Sequence, residues 1–215
     1  MPNISGNAYG LTTLCPVKNS NEGDQSNASF IREYLQELPI DADSPMAKVP
    51  NTYLARLFIL NDTIYESHPH QLDRLKSSYL VFTSNFHGGV NEYLTGMWNT
   101  ISVEIKDIWN HCVGFEGVDN APSFVEYIKK CQVKTTFFFN GSTDDSLKEQ
   151  LKSLYLKQEF SDFVFSHQGA GEEELLEDYK AFVKKTNPEI LEFPTWRAGG
   201  SSLETIVVNE KDQVS

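Results

Sequence analysis

The segment Phe82–Gly89 places polar side chains next to the start of a helix. Asn85 and His87 lie at the end of an alternating strand pattern, and two glycines separate them from a long apolar-periodic stretch. Free backbone N–H groups at a helix start attract anions and small polar ligands. The pattern predicts Asn85 and His87 as ligand-binding residues. The alternative interpretation is a glycine-rich turn with Asn85 as its capping residue.

Two residues of the following helix have the chemistry to hold an iron porphyrin. His111 stands near the helix end, and Trp98 lies on the apolar face. Histidine is a common axial ligand of haem iron, so haem is the cofactor expected if His111 binds a metal. A histidine at a helix C-terminus is also favoured by the helix dipole, and capping is therefore the alternative role.

Arg56 interrupts an otherwise apolar stretch, Tyr53–Leu60. A buried guanidinium requires an anionic or carbonyl partner. That partner is either a carboxylate of the protein or the carboxylate of a ligand, including a haem propionate. Arg56 therefore joins Asn85, His87, Trp98 and His111 as a predicted ligand-binding residue.

The remaining chemically active residues show no recognisable spacing. His68 and His70 are predicted to lie in a solvated loop rather than in a metal site. The cysteines Cys15, Cys112 and Cys131 form no CxxC pair and no zinc pattern. Buried free thiols in a reducing cytoplasm are the expectation.

The elements that must position these residues alternate as strand, helix, strand, strand, helix, strand. This order is typical of the ferredoxin-like βαββαβ unit, and the predicted fold class is α+β with a four-stranded antiparallel sheet. The predicted strands and main helices are Tyr9–Val17, Ser29–Leu38, Tyr53–Thr63, Ser78–Phe86, Val90–Cys112 and Val133–Asn140. A short helix, Ser123–Cys131, precedes the last strand.

Apolar residues on both sides of these strands require a second cover for the sheet. A partner's sheet, giving a homodimer, and the chain's own helices between residues 144 and 187 are the two alternatives. The predicted organisation is a ferredoxin-like domain over residues 1–143, a helical extension over 144–193 packed on it, and a tail over 194–215.

Composition excludes several classes of partner. The chain of 215 residues has a formal net charge of −12 and a pI near 4.8. Nucleic acid and anionic membranes would be repelled. No apolar run approaches the length of a membrane span, and no secretory signal is recognised, so the expected location is cytoplasmic.

Three stretches carry a resemblance to a known family, namely Leu11–Lys18, Tyr53–Leu57 and Tyr79–Phe86. They resemble a group of bacterial dimeric α+β-barrel proteins that is related in fold to dye-decolourising peroxidases. The resemblance spans about residues 9–165 and implies the fold, a dimer and a ligand pocket. It does not imply peroxidase activity, because His87-Gly88 stands where the related pattern has Asp-Gly.

Three functions follow from these observations. The first is a protein that binds an apolar or haem-like small molecule, related to haem or lipid chemistry, and acts beside an oxidising enzyme. The second is an oxidoreductase of peroxidase or monooxygenase type, with a pocket between sheet and helices. The third is an interaction module that has no ligand. The sequence does not identify a catalytic residue.

Overall fold

The computed structural model describes residues 3–22, 25–61, 75–142 and 144–200, so the predicted His68 and His70 loop and the end of the tail lie outside it. The chain divides into two compact units, Met1–Asp144 and Asp145–Ser215. The strands are β1 Ile4–Ser5, β2 Ala8–Pro16, β3 Asn21–Glu22, β4 Gln25–Ser26, β5 Thr52–Leu60 and β6 Tyr79–His87. The helices are α1 Asn27–Glu37, α2 Pro45–Lys48, α3 Val90–Trp109, α4 Ala121–Cys131, α5 Leu147–Ser166 and α6 Glu172–Thr186.

The first unit is built on a four-stranded antiparallel sheet in the order β1-β2-β6-β5. The α+β class, the antiparallel sheet and the three long strands predicted from the sequence are confirmed. In β5 and β6, Leu57 lies opposite Phe82 and Ile59 opposite Leu80, and β2 continues these rows with Thr13 and Cys15. The register therefore collects the apolar residues of three strands on one face.

The predicted last strand, Val133–Asn140, is wrong. The fourth strand is β1, and residues 133–140 follow the outer edge of β2 without forming a ladder. The Asn3 carbonyl accepts from the Gly10 amide at 2.9 Å, whereas farther along β2 the Thr12 carbonyl accepts from the Val133 amide at 2.8 Å. Because β1 and Asn3 already pair with the first part of this edge, residues 133–140 can pair only with the short stretch of β2 that remains. The ferredoxin-like order is thus not confirmed.

One face of this sheet is covered by α1, α3 and α4. Their apolar side chains form a single core with Leu11, Leu80, Phe82 and Phe86 of the strands. Within this core the Phe82 ring meets Trp109 edge-on, with ring centres 5.6 Å apart. The long helix ends at Trp109 rather than at the predicted Cys112 because Cys112 pairs with Val17.

The opposite face carries apolar side chains that remain accessible. Leu54 is 51% exposed, Phe58 46% and Leu14 37%. We call this surface the open face. The prediction that β5 is buried on both faces is therefore wrong for the single chain: Leu57 and Ile59 join the core, and Phe58 between them points away from it.

The second unit contains α5 and α6, as the apolar stripe and the Gly169–Gly171 break predicted. Rings of the two helices pack together, with Phe163 and Phe182 centred 5.1 Å apart. Lys152 is buried, and its ammonium donates to the carbonyls of Thr186 and Pro194 at 2.7 and 2.8 Å. The arrangement ties the end of α6 to the segment that follows it. Whether this unit packs on the first one stays a prediction.

Candidate ligand-binding site on the open face

The centre of the open face is a polar row that crosses three strands. The register places Thr12 of β2 opposite Thr83 of β6, and Thr83 opposite Arg56 of β5. The Arg56 side chain is exposed, and its Nε donates to the Thr83 hydroxyl at 3.4 Å. The row thus presents a guanidinium and two hydroxyls on one surface. Such a set of donors suits a carboxylate oxygen.

The next row toward the β6 C-terminus combines Gly10, Asn85 and Leu54. The Phe138 ring lies directly over Gly10, so that a Cβ at this position would come within 2.9 Å of the ring. A glycine in the middle of a strand is expected where another group approaches the backbone this closely. Gly10 therefore allows Phe138 to form a wall above the sheet.

These rows and Phe138 enclose a shallow cavity of about 140 Å³. Thr135 completes its rim, and its hydroxyl accepts from the Asn3 side-chain amide at 2.9 Å. The same amide donates to the Gly10 carbonyl at 2.8 Å. Asn3 therefore fixes the segment that carries Phe138 against the edge of β2.

A third row, beyond Arg56, is entirely apolar. It consists of Leu14, Val81 and Phe58, of which the two outer side chains are partly exposed. The open face thus has polar groups bordered by apolar surface. This combination can bind a small amphipathic molecule whose anionic end meets Arg56.

His87 lies on the open face together with Asn85, because residues two apart on a strand point to the same side of the sheet. Its Nδ1 lies 3.0 Å from the Asp144 carbonyl and 3.1 Å from the Tyr53 hydroxyl. A carbonyl only accepts, so the contact with Asp144 places the proton on Nδ1. His87 anchors the end of β6 to residue 144, and it does not line the cavity described above.

The Gly88–Gly89 turn after β6 is shaped by backbone conformation and a main-chain hydrogen bond. Gly88 has φ of +92°, a conformation that favours glycine, and its amide donates to the Asn7 carbonyl at 2.8 Å. The N-cap of α3 is Gly89, so Asn85 is not the capping residue. Glu92 in the first turn of α3 brings its carboxylate over Gly89 and complements the helix dipole.

His111 lies just beyond α3, buried between α1 and the end of β2. Its Nδ1 is 2.7 Å from the Asn27 side-chain oxygen, and its ring is 4.3 Å from that of Phe30. Asn27 in turn donates to backbone carbonyls of Lys18 and Ser20. The His111 carbonyl accepts from the Lys18 amide at 2.9 Å. These contacts join three chain segments, which is a structural role.

A separate cavity of about 430 Å³ lies beside His111. Lys18, Lys106 and Asp107 supply its charged groups. Trp98 belongs to the core of the covered face instead, where its ring lies 5.5 Å from that of Phe124. The structure therefore brings Arg56, Asn85 and His87 to the open face and leaves Trp98 and His111 in other surroundings.

Sequence reasoning missed six residues of this site, namely Gly10, Thr12, Leu54, Thr83, Thr135 and Phe138. Gly10 was recognisable as a glycine inside a strand pattern, which often marks a close backbone approach. Phe138 was not, because residues 133–140 alternate like a strand that would add to the sheet edge.

Comparisons of the chain with protein-family models, with curated proteins and with solved structures found no match. Within the described parts of the chain, no helix has both the length and the apolar content needed to cross a membrane.

Proposed function

We propose that this protein binds a small organic carboxylate on the open face. The observation that carries the proposal is the row of Thr12, Thr83 and Arg56 between apolar surfaces, with Phe138 as a wall. The guanidinium pairs with the carboxylate, and Leu54 and Phe138 contact the apolar body. A cavity of about 140 Å³ suits a body of benzene size, since a cavity of ~150 Å³ accepts benzene.

Haem is not part of this proposal. The haem expectation used His111 as the axial ligand with Trp98 nearby, and Arg56 as one alternative partner for a propionate. Arg56 lines the cavity on the open face, whereas His111 lines a different one and uses its Nδ1 on Asn27. The ligand supported by the site is smaller.

Benzoate is a suitable probe, with benzamide as the uncharged comparison. In calorimetric titrations at low salt we expect benzoate to bind and benzamide to bind more weakly. Arg56→Met should weaken benzoate binding about tenfold, because a hydrogen bond to a charged group contributes about 1.5 kcal/mol.

The matched control is Arg32→Met, which removes the same charge from α1, away from the open face. It should leave benzoate affinity within about twofold, because a distant, partly exposed charge contributes little at this range. Equal losses in the two variants would show that benzoate responds to net charge alone and would refute the site.

A second candidate function is contact with another copy of the chain through the open face. The exposed Leu14, Leu54 and Phe58 favour it, because they form a patch on the sheet beside the polar row. A partner's sheet laid on this face would also close the cavity. The homodimer and the barrel-like resemblance remain predictions that this candidate would explain.

Sedimentation equilibrium of Phe58→Glu tests the dimer. A dimer of the unmodified chain should become a monomer in this variant, while Val103→Glu on α3 should stay dimeric. Val103 is 67% exposed and lies on a helix, so it controls for the added charge. A monomeric unmodified chain that still binds benzoate would remove this candidate and leave the ligand proposal intact.

The oxidoreductase alternative stays a prediction, as does the cytoplasmic location. Turnover of peroxide in the presence of a reducing substrate would separate an enzyme from a binding protein. Persistence of that turnover in Arg56→Met would place the reaction away from the open face.

A further inference from the structure

The three cysteines, distant in sequence, converge on one flank of β2. Cys112 pairs with Val17 at the end of β2, and Gln132, next to Cys131, pairs with Thr13. Cys15 lies between these two pairing positions on the same strand. Fold topology therefore brings the last residue of α4 and the turn after α3 to the two sides of Cys15.

The side chains at this flank form a connected cluster. Cys131 packs against the buried core that contains Cys15, Cys112 and Tyr127. The Cys15 thiol donates to the Thr13 hydroxyl at 3.8 Å, and the Tyr127 hydroxyl donates to the Val113 carbonyl at 3.3 Å. We call these residues, Cys15, Cys112, Cys131 and Tyr127, the thiol cluster. Its cysteines are free thiols.

The members of the thiol cluster differ in access. Cys15 and Cys112 are fully buried, whereas Cys131 is partly exposed at the end of α4. An oxidant from solvent can therefore reach Cys131, and Cys15 lies in the buried core against which Cys131 packs. Cys131 is therefore the thiol that meets an oxidant first, and Cys15 is the buried thiol that can react with it next.

The pKa values of the three thiols differ in parallel with their access to solvent. The hydrogen bond from the Cys15 thiol, assisted by Tyr127, lowers the pKa of Cys131 to about 7 against the opposing effect of burial. Burial and the neighbouring Cys131 raise the pKa of Cys112 to about 12. The pKa of Cys15 is also raised, first by its hydrogen bond to Cys131. Only the accessible thiol is thus ionised near neutral pH.

We infer that Cys131 is a peroxide-reactive thiol that forms a disulfide with Cys15. The Cys131 thiolate attacks one oxygen of hydrogen peroxide, the O–O bond breaks, and hydroxide leaves, so that Cys131 becomes a sulfenic acid. The Cys15 sulfur then attacks the Cys131 sulfur. The S–O bond breaks, an S–S bond forms, and water leaves with the Cys15 proton. Peroxide is reduced by two electrons, and the two thiols are oxidised.

A metal site is the competing explanation for clustered cysteines. Across residues 3–22, 25–61, 75–142 and 144–200, no three His, Cys, Asp or Glu side chains are grouped so as to hold a metal ion. Two thiols brought to the same strand edge, one accessible and one buried, are the arrangement that disulfide exchange uses. The inference does not depend on the ligand proposed for the open face.

Peptide mapping tests the inference, because trypsin places the cysteines in different peptides: 1–18, 107–129 and 131–134. The full chain is treated with one equivalent of hydrogen peroxide, alkylated with iodoacetamide and digested without reductant. We expect peptide 1–18 linked to peptide 131–134, two hydrogen atoms lighter than the free peptides, and lost on reduction. A link between 107–129 and 131–134 would overturn the pairing, and full alkylation of Cys131 would overturn its reactivity.

Three serine variants separate the roles. Cys131→Ser should abolish the link, and Cys112→Ser should leave it unchanged as the matched control. In Cys15→Ser the sulfenic acid on Cys131 should persist and be captured by dimedone at least severalfold more than in the unmodified chain. Equal capture in both proteins would refute Cys15 as the resolving thiol. The map of the unmodified chain decides the pairing even if a buried variant fails to fold.

Discussion

The two faces of one sheet in this protein have opposite surroundings and, as we interpret them, opposite tasks. On the covered face, Leu80, Phe82 and Phe86 are fully buried under helices. On the open face, residues of the same strands present Arg56, Asn85 and exposed apolar side chains. Alternation along a strand thus places neighbouring residues on opposite faces, so that one stabilises the core while the next is available to the ligand that we propose.

The largest expected effect contrasts two phenylalanines on these faces. Phe82→Ala should lower the free energy of unfolding by about 3–5 kcal/mol, because it leaves a cavity beside Trp109. Phe58→Ala should lower it by about 1 kcal/mol or less, since that side chain keeps much of its exposure. Urea unfolding followed by near-ultraviolet circular dichroism measures both. Equal losses would show that the open face is covered in solution.

A smaller effect concerns the edge of the covered face, where the thiol cluster lies. Because hydrogen bonds from Cys15 and Tyr127 favour the Cys131 thiolate, its alkylation rate should rise about tenfold between pH 6 and 8, centred near pH 7. Cys15 and Cys112 should stay unreactive over this range because burial raises the pKa of each.

Time-resolved alkylation with peptide mapping follows each thiol separately. In urea the Cys131 profile should move to the ordinary range of a free thiol. A native profile identical to the one in urea would contradict the assigned contacts around Cys131.

The smallest effect tests how closely Phe138 approaches the open face. Gly10→Ala places a methyl group 2.9 Å from the Phe138 ring, so the ring must shift. We expect a loss of about 1 kcal/mol in unfolding free energy and severalfold weaker benzoate binding. Gly96→Ala is the control, because its methyl group would meet Pro50 at an ordinary 3.6 Å. That variant should be neutral or slightly stabilised, as usual for alanine in a helix.

If Gly10→Ala bound benzoate as well as the control variant, Phe138 would have no part in the site. The same pair of variants also reports on the segment after Val133, whose position depends on Asn3.

The three long strands and the helices other than α2 were predictable because their apolar periods are strong. The three rows that cross the sheet were not, because they depend on register. Thr12, Thr83 and Arg56 are far apart in sequence, and no local sequence pattern predicts that they lie side by side. The same holds for Cys15, Cys112 and Cys131, whose spacing suggested isolated buried thiols.

The missing strand at Val133–Asn140 has a different cause. Its alternation of apolar and polar residues is typical of a strand, and tertiary competition for the edge of β2 overrides it. Similarly, His111 has the chemistry of a ligand, but its contacts with Asn27 and Phe30 are those of a packing residue. In both cases the sequence indicated the chemical character of the residues correctly, but it did not show which residues surround them in the fold.

The most direct test of the ligand proposal is an amide NMR titration of the full chain with benzoate. We predict that shift changes concentrate at Thr12, Leu54, Thr83 and Asn85 of the open face and that Arg56→Met suppresses them. Changes centred instead on Asn27, Asn110 and His111 would contradict the proposal, because they would place the anion in the cavity on the other side of the molecule's core.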